Sequence, residues 1–388
     1  MIGLEELPLV DHHCHGVMAG ALERPAFENL INEGFDPPPP GVSHFDAPIG
    51  LVVRRWCAPV LDLDPLAPAE QYLARRRELG PEEVNRRLLG GAELGALLID
   101  SGYRSEELLD LPDMGKLAEA PVHEIVRLEA VAESVAADLP DAAGYPDAFV
   151  TALEKRAAAG VGLKTIVAYR SGFGLDPTRP SREEVVRAAG VWLRATEEGR
   201  GRLTDPVLLR FGIWAGADVG RERGLPLQVH SGFGDPDLRI HQANPALLTD
   251  LIRALGELPV NVVFLHCYPY HREAAYLAAV FPHVYFDIGS ALNYTGPSAR
   301  GFMAEALELA PFSKQLFSSD AFGLSELYFL GAQLFRRVLG EILEEWIEEG
   351  ACMTGDAERI ARLIGRDNAL RIYPLERQPA SFGFDIER

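Results

Sequence analysis

Lysine is nearly missing from this chain. Only Lys116, Lys155, Lys164 and Lys314 occur, although Lys and Arg together number 37. Arginine carries the positive charge and is outnumbered, since 57 acidic residues bring the formal net charge to −20. Phosphate backbones are bound by clustered Lys and Arg, so nucleic acid is not an expected partner. Long apolar runs are missing too. No stretch reaches the ~18 uncharged apolar residues of a membrane-spanning helix, and no membrane partner is expected. The start, Met1-Ile2-Gly3-Leu4-Glu5-Glu6, has neither a basic beginning nor a long apolar run, which argues against a secretory leader. Cysteine is scarce. Cys14, Cys57, Cys267 and Cys352 show no Cys-x-x-Cys spacing, which suggests a reducing compartment rather than a disulfide framework. These absences predict a cytoplasmic protein whose partner is a small molecule. Acidity and a long C-terminal helix are compatible with a homo-oligomer and do not require one.

What the chain does have is enough apolar content for a sizeable core, 47 % over 388 residues. From about residue 120 onward, short apolar runs alternate with helix-length amphipathic segments. Strands are expected at Glu124–Leu128, Gly162–Val167, Leu227–His230, Val260–His266, Val284–Ile288 and Leu316–Ser318. Helices are expected between them, including 146–159, 181–198, 206–223 and 325–349. With the opening run Leu7–Val10 and with Ala96–Asp100, eight strands fit. Eight βα units predict an α/β fold, the TIM (β/α)8 barrel, as a single domain over 1–388. The excess length lies in residues 17–95. That segment holds a stiff Asp36-Pro37-Pro38-Pro39-Pro40-Gly41 loop and an expected helix over Pro68–Leu89. Loops after barrel strands cover the catalytic face, so this partly helical insertion is read as a lid or pocket wall.

Functional side chains of such a barrel belong at the C-terminal ends of strands. His13 and His15, in Asp11-His12-His13-Cys14-His15, end the first strand. Strict alternation puts both on one face and turns His12 away from it. His230, His266 and Asp320 end later strands. Each alone fits a polar group at the barrel rim; together, four strand ends carry metal-capable side chains. His and Asp ligands suit zinc, with manganese or iron also compatible. Lys164, in Gly162-Leu163-Lys164-Thr165, marks either a salt bridge or, once carboxylated, a bridge between two ions. Arg170 just past that strand could fork a carboxylate or form a surface ion pair. Asp100 and Asp235 are weaker rim candidates. Tyr268, Tyr270 and Tyr294 could line a pocket, and His271 lies near them. His241 reads as a loop or helix-end residue. Cys14 and Cys267 read as small apolar packing. Glu129, leaving the third strand, could bridge metals in place of Lys164 or pair with Arg127.

This pattern resembles the amidohydrolase superfamily over essentially the whole barrel. Asp11-x-His13-x-His15 looks like the family's opening His-x-His. Lys164 is placed like the strand-four lysine of its urease-like and hydantoinase-like members, and Lys164–Arg170 is similar to the latter. His230, His266 and Asp320 look like its later ligands, and Asn368–Tyr373 like its closing segment. The stretch from Gln228 to Asp320 also resembles the amidohydrolase domain that some plant and fungal proteins fuse to a glutamine-synthetase-like domain. The resemblance implies two metal arrangements. In one, His13, His15 and Asp320 hold one ion, His230 and His266 a second, with carboxylated Lys164 between. In the other, His13, His15, His230 and Asp320 hold a single ion, His266 is a general base or electrophile, and Lys164 is a structural cation.

The expected activity is hydrolysis of a C–N amide bond in a small, carboxylated substrate. A metal-activated water would attack, Asp320 would carry the proton, and Tyr169, Arg170 and Tyr268 would contact the substrate. The alternatives are a mononuclear decarboxylase or uronate-isomerase-like enzyme of the same superfamily, and a non-catalytic metal-binding barrel.

Overall fold

The computed structural model describes residues 3–104, 106–138, 141–197 and 201–377. The expected helix end near residue 198 lies outside these residues. Seven parallel strands form one sheet in chain order: β1 (Leu9–Cys14), β2 (Leu94–Asp100), β3 (Val122–Arg127), β4 (Gly162–Thr165), β5 (Leu227–Ser231), β6 (Val262–His266) and β7 (Val284–Phe286). The eighth expected strand is an extended segment rather than a full ladder. Leu316 N–H donates to Phe286 O at 3.0 Å on one side, and His12 N–H donates to Phe317 O at 3.3 Å on the other. Residues 315–318 thus bond to β7 and to β1, and the fold is the expected α/β TIM barrel. No helix among the described residues is long and apolar enough to cross a membrane.

The barrel interior is filled from below by apolar side chains. Val10, Leu98, Ile125 and Leu265 meet Ile372 and Tyr373 of the closing segment in one cluster. Above them the register sets Arg127 beside Lys164 and Lys164 beside Gln228, a polar interior layer. Removing these groups from water is tolerated only with partners, and that requirement organises the site above.

Several boundaries differ from the expected ones for visible reasons. The expected helix over Pro68–Leu89 is two helices, Ala69–Leu79 and Pro81–Gly91. Gly80 between them has φ +79°, and Pro81 supplies no N–H for continuation. β4 ends at Thr165, and Val167–Arg170 forms a helical turn that carries Tyr169 and Arg170. β3 ends at Arg127, because Leu128–Asp138 is already helix. His12 does not turn away from the interior. β1 has a register shift between Asp11 and Cys14, and such an irregularity breaks strict alternation. The rings of His12 and His13 therefore both reach Gln228, at 3.5 and 2.9 Å. His12 is the deeper of the two, with Nδ1 3.0 Å from the Tyr373 hydroxyl and Nε2 2.7 Å from Asp287.

From the insertion, Met18, Leu22, Asn29, Leu30 and Glu33 line the cavity at the strand ends. Farther along, Arg76 and Tyr72 reach Glu326 of the long helix Ser325–Glu348, at 2.6 and 2.8 Å. Glu326 is fully buried there.

Candidate metal centre

The side chains expected at the strand ends converge. His13 Nδ1 lies 2.9 Å from Gln228 Oε1, which can only accept, so that nitrogen donates. His15 Nδ1 lies 3.1 Å from the Asp100 carbonyl and donates likewise. Both tautomers leave Nε2 bare. These two Nε2 atoms stand 3.3 and 3.9 Å from Asp320 Oδ1, and His266 Nδ1 is 3.0 Å from Asp320 Oδ2. The rings of His230 and His266 lie 4.6 Å apart, and His230 Nε2 is buried with no hydrogen-bond partner. Lys164 Nζ is 2.9 Å from His13 Nε2 and 3.5 Å from Asp100 Oδ2.

Three of the eight non-glycine residues with positive φ among the described residues stand at this site. His266, Cys267 and Asp320 have φ of +65°, +59° and +49°, a region costly for residues with a Cβ. Backbone bonds hold two of them in place. His266 N–H donates to Asp287 Oδ1 at 2.6 Å, and Asp320 N–H to His13 O at 3.1 Å. The second Asp287 oxygen accepts from Ser318 at 3.0 Å.

Burial also sets the charge states. It holds His13, His230 and His266 well below the usual imidazole range, and the nearby Lys164 charge pushes the same way. It lowers His15 to about 3. The rings are neutral; the His230 lone pair is unpartnered, and that of His13 faces the Lys164 amine at 2.9 Å, which an ion would have to displace. Burial raises the Asp320 carboxyl well above the usual range; Lys164 opposes the shift, and Glu33 and Asp287 add to it. Burial lowers Lys164, against the pull of Asp100.

This donor set fits a divalent ion. Ligand atoms of His13, His266 and Asp320 lie within 4.8 Å of one another, as do those of His13, His15 and Asp100. Tetrahedral zinc with bonds of ~2.0–2.1 Å sets ligand atoms roughly 3.3 Å apart. The 3.0–3.9 Å separations around Asp320 bracket that edge. The unpartnered His230 nitrogen is the orphan that such an ion would satisfy.

Other candidates separate. Tyr169 lines the cavity and packs at a tilt of 43° against His230, with centroids 4.3 Å apart. Arg170 lines it too, with its guanidinium 2.9 Å from Glu133. Tyr294 and Asp235 also line it. Tyr268 is not among the lining residues; its ring packs on Phe302 at 5.4 Å. His271 pairs outside the cavity with Glu305 at 2.8 Å. Glu129 reaches neither a metal ligand nor Arg127. Its Oε1 accepts from Thr165 at 2.6 Å and from the Ile166 N–H at 3.0 Å. Arg127 instead grips Asp100, with Nη2 2.6 Å from Oδ2. Asp100 is thus held well below the carboxylate range by Arg127 and Lys164, against the cost of burial.

A family model described as Amidohydrolase matches residues 124–375, the stretch that contains Lys164, His230, His266 and Asp320. This chain belongs to the amidohydrolase family. The crystal structure of a putative metal-dependent hydrolase from Lactobacillus casei is 29 % identical to this amidohydrolase, with a TM-score of 0.80 over 96 % of this chain and 97 % of that one. Protein fluG of Emericella nidulans is 28 % identical over 416 residues, covering 96 % of this chain. The chain spans about half of that relative, 46 % of its length. Glucuronate isomerase from Caulobacter crescentus shares the fold, with a TM-score of 0.63, 15 % identity and coverage of 98 % of this chain and 94 % of that one.

Proposed function

We propose that this amidohydrolase is a metal-dependent hydrolase that cleaves a C–N amide bond in a small, carboxylated substrate. The observation that carries the reading is the ring of bare imidazole nitrogens around Asp320. His13 and His15 have their Nδ1 atoms committed elsewhere, and His230 Nε2 has no partner. His13, His15, His230 and Asp320 would hold a divalent ion, zinc before manganese or iron. Such an ion would supply Lewis-acid polarisation of the carbonyl and acidify water.

The chain's own groups do the rest. Asp320, made more basic by burial, accepts a proton and delivers it to the leaving amine. His266 Nδ1, 3.0 Å from Asp320 Oδ2, orients that carboxylate. Tyr169 packs against His230 and limits the approach of substrate. Arg170, which lines the cavity with its guanidinium 2.9 Å from Glu133, would face the substrate carboxylate.

One observation favours a single ion over two bridged by carboxylated Lys164. The Lys164 amine already has an anionic partner in Asp100 at 3.5 Å. Metal analysis separates the arrangements. One equivalent per chain that survives Lys164→Ala fits the single-ion site; two equivalents reduced by that substitution fit carboxylation. A screen of amides beside uronates at matched metal loading tests the reaction. Turnover of amides supports the hydrolase, and turnover of uronates alone rejects it.

A further inference from the structure

Behind His13 the barrel interior holds a polar network that the proposed chemistry does not use. His12, Gln228 and Asp287 are fully buried, and Tyr373 is 2 % exposed. They come from β1, from β5, from the residue after β7 and from the segment after the helix Asn368–Ile372. Buried polar groups need partners, so the atoms around each group place its protons. The His12 carbonyl can only accept, and the Gln228 atom 2.8 Å from it is therefore the amide nitrogen, Nε2. The amide oxygen then faces His13 and accepts from Nδ1 at 2.9 Å. The second Nε2 hydrogen goes to the Tyr373 hydroxyl oxygen at 2.8 Å. Tyr373 passes its own hydrogen to His12 Nδ1 at 3.0 Å. With Nδ1 accepting, the ring proton of His12 sits on Nε2, 2.7 Å from Asp287 Oδ2. That contact is short but bent away from the N–H direction, so it joins charge to proton more than it forms a hydrogen bond. A bare lone pair at the same distance would be repelled by the carboxylate oxygen.

Asp287 ends the path. Its Oδ1 accepts from the N–H groups of His266 and Gly289, at 2.6 and 3.0 Å, and its Oδ2 from Ser318 at 3.0 Å. An ionised carboxylate only accepts, and these donors suit that form. Every donor along the path points the same way, from His13 through Gln228, Tyr373 and His12 to Asp287. Hydrogen bonds aligned head to tail polarise one another. Negative charge at the far end draws the His13 Nδ1 proton toward Gln228 and makes the opposite nitrogen a stronger electron donor. That nitrogen, Nε2, is the one 3.3 Å from Asp320 Oδ1. His15 is held differently, by the Asp100 backbone carbonyl. The Tyr373 ring packs in the apolar cluster with Val10, Leu98, Ile125 and Leu265, which needs no hydroxyl.

We propose that Gln228, Tyr373, His12 and Asp287 form a positioning relay that fixes the tautomer of His13 and strengthens its hold on the metal ion. The affinity of the centre then depends on a tyrosine hydroxyl that does not touch the ion. This rests on the metal-dependent reading for His13 as a ligand, and on the hydrogen bonds alone for the relay. Because Asp287 also bonds the His266 backbone, the relay ties the β1 and β6 sides of the centre to one carboxylate.

The test is the zinc affinity of the purified chain, read by competition with a chelator, with folding followed by circular dichroism and urea unfolding. Tyr373→Phe removes one oxygen and keeps the ring. It is expected to weaken zinc binding roughly tenfold, the usual worth of a partner behind a metal-bound histidine. Asp287→Asn keeps an oxygen for the His266 and Gly289 N–H groups and removes the charge; a similar loss is expected. The double variant should lose little more than either alone, because the path is broken once. Arg76→Ala breaks the Glu326 pair outside this path and is expected to bind zinc as the wild type does, although its fold is weakened. A loss below about threefold in Tyr373→Phe, or an equal loss in Arg76→Ala, would overturn the relay. Nitrogen NMR of the wild-type histidine rings reads it without a variant. The proton is expected on Nε2 of His12 and on Nδ1 of His13, and the reverse at either ring would overturn it. The two readings fail differently. A wild type that binds no zinc removes the metal centre and the relay with it; a wild type that binds zinc as tightly as folded Tyr373→Phe removes the relay alone.

Discussion

Replacing Asp320 with Asn should abolish most activity while leaving the fold intact. Two features of the position make the prediction sharp. Its φ of +49° is one that Asn tolerates as well as Asp, so the backbone gains no strain. Its carboxyl is raised by burial, which means that an ionised oxygen is uncomfortable there; the neutral amide removes that penalty. Unfolding free energy should therefore change by less than about 1 kcal/mol, or rise, as at other active-site positions held at a cost. The chemistry should not survive. Asn cannot take a proton from water or return one to a leaving amine, and general acid–base catalysis is worth roughly 10²–10⁴ in rate. That range corresponds to about 3–5 kcal/mol of barrier at 1.36 kcal/mol per decade. Because the loss falls in the transition state, kcat should drop and KM should change little. The assay is steady-state turnover of the best amide substrate at matched metal content, with urea unfolding of the same preparations. Turnover within tenfold of wild type would refute the proton-carrier role. Loss of cooperative unfolding would refute the account of the backbone.

Two further predictions concern the scaffold. Arg76→Ala leaves the fully buried Glu326 carboxylate without its bidentate partner, now at 2.6 and 3.3 Å. An uncompensated buried charge costs about 3–5 kcal/mol, read as a lower urea midpoint; a loss below about 1 kcal/mol would contradict the pairing. Glu129→Gln keeps an oxygen for Thr165 and Ile166 and removes a carboxyl raised by burial. A raised folded-state value means that the folded chain keeps a proton the unfolded chain has released, so wild-type stability falls as pH rises above about 4.5. The variant should equal wild type at the acid end of that window and exceed it as pH rises, until the wild-type carboxyl itself ionises in the folded chain; a gain independent of pH would contradict the assignment.

The barrel and the core of the site were legible because the fold places chemistry at strand ends. His13, His15, His230, His266 and Asp320 each follow a short apolar run, and the structure brings all five together. Asp287 could have been found in the same way, since it follows β7, yet its work is to bond the His266 backbone, which no motif announces. Gln228 precedes His230 by two positions on the same strand face; its selection of the His13 tautomer appears only once β1 is beside it. Alternation misplaced His12 because a register irregularity has no reliable local signature. Glu33 was out of reach. It stands in an irregular loop, and only tertiary packing of the insertion carries it to Tyr294. Tyr268, in the segment after β6 that faces the catalytic side, packs its ring on Phe302 at 5.4 Å.

The central claim is that this chain holds a divalent ion on the imidazoles around Asp320. The direct measurement is the metal content of protein purified without chelator, wild type beside His13→Ala, with folding of both followed by circular dichroism. The account predicts at least one tightly held equivalent in the wild type and its loss in a folded variant. A wild-type chain that retains no metal and takes up neither zinc nor manganese would contradict it.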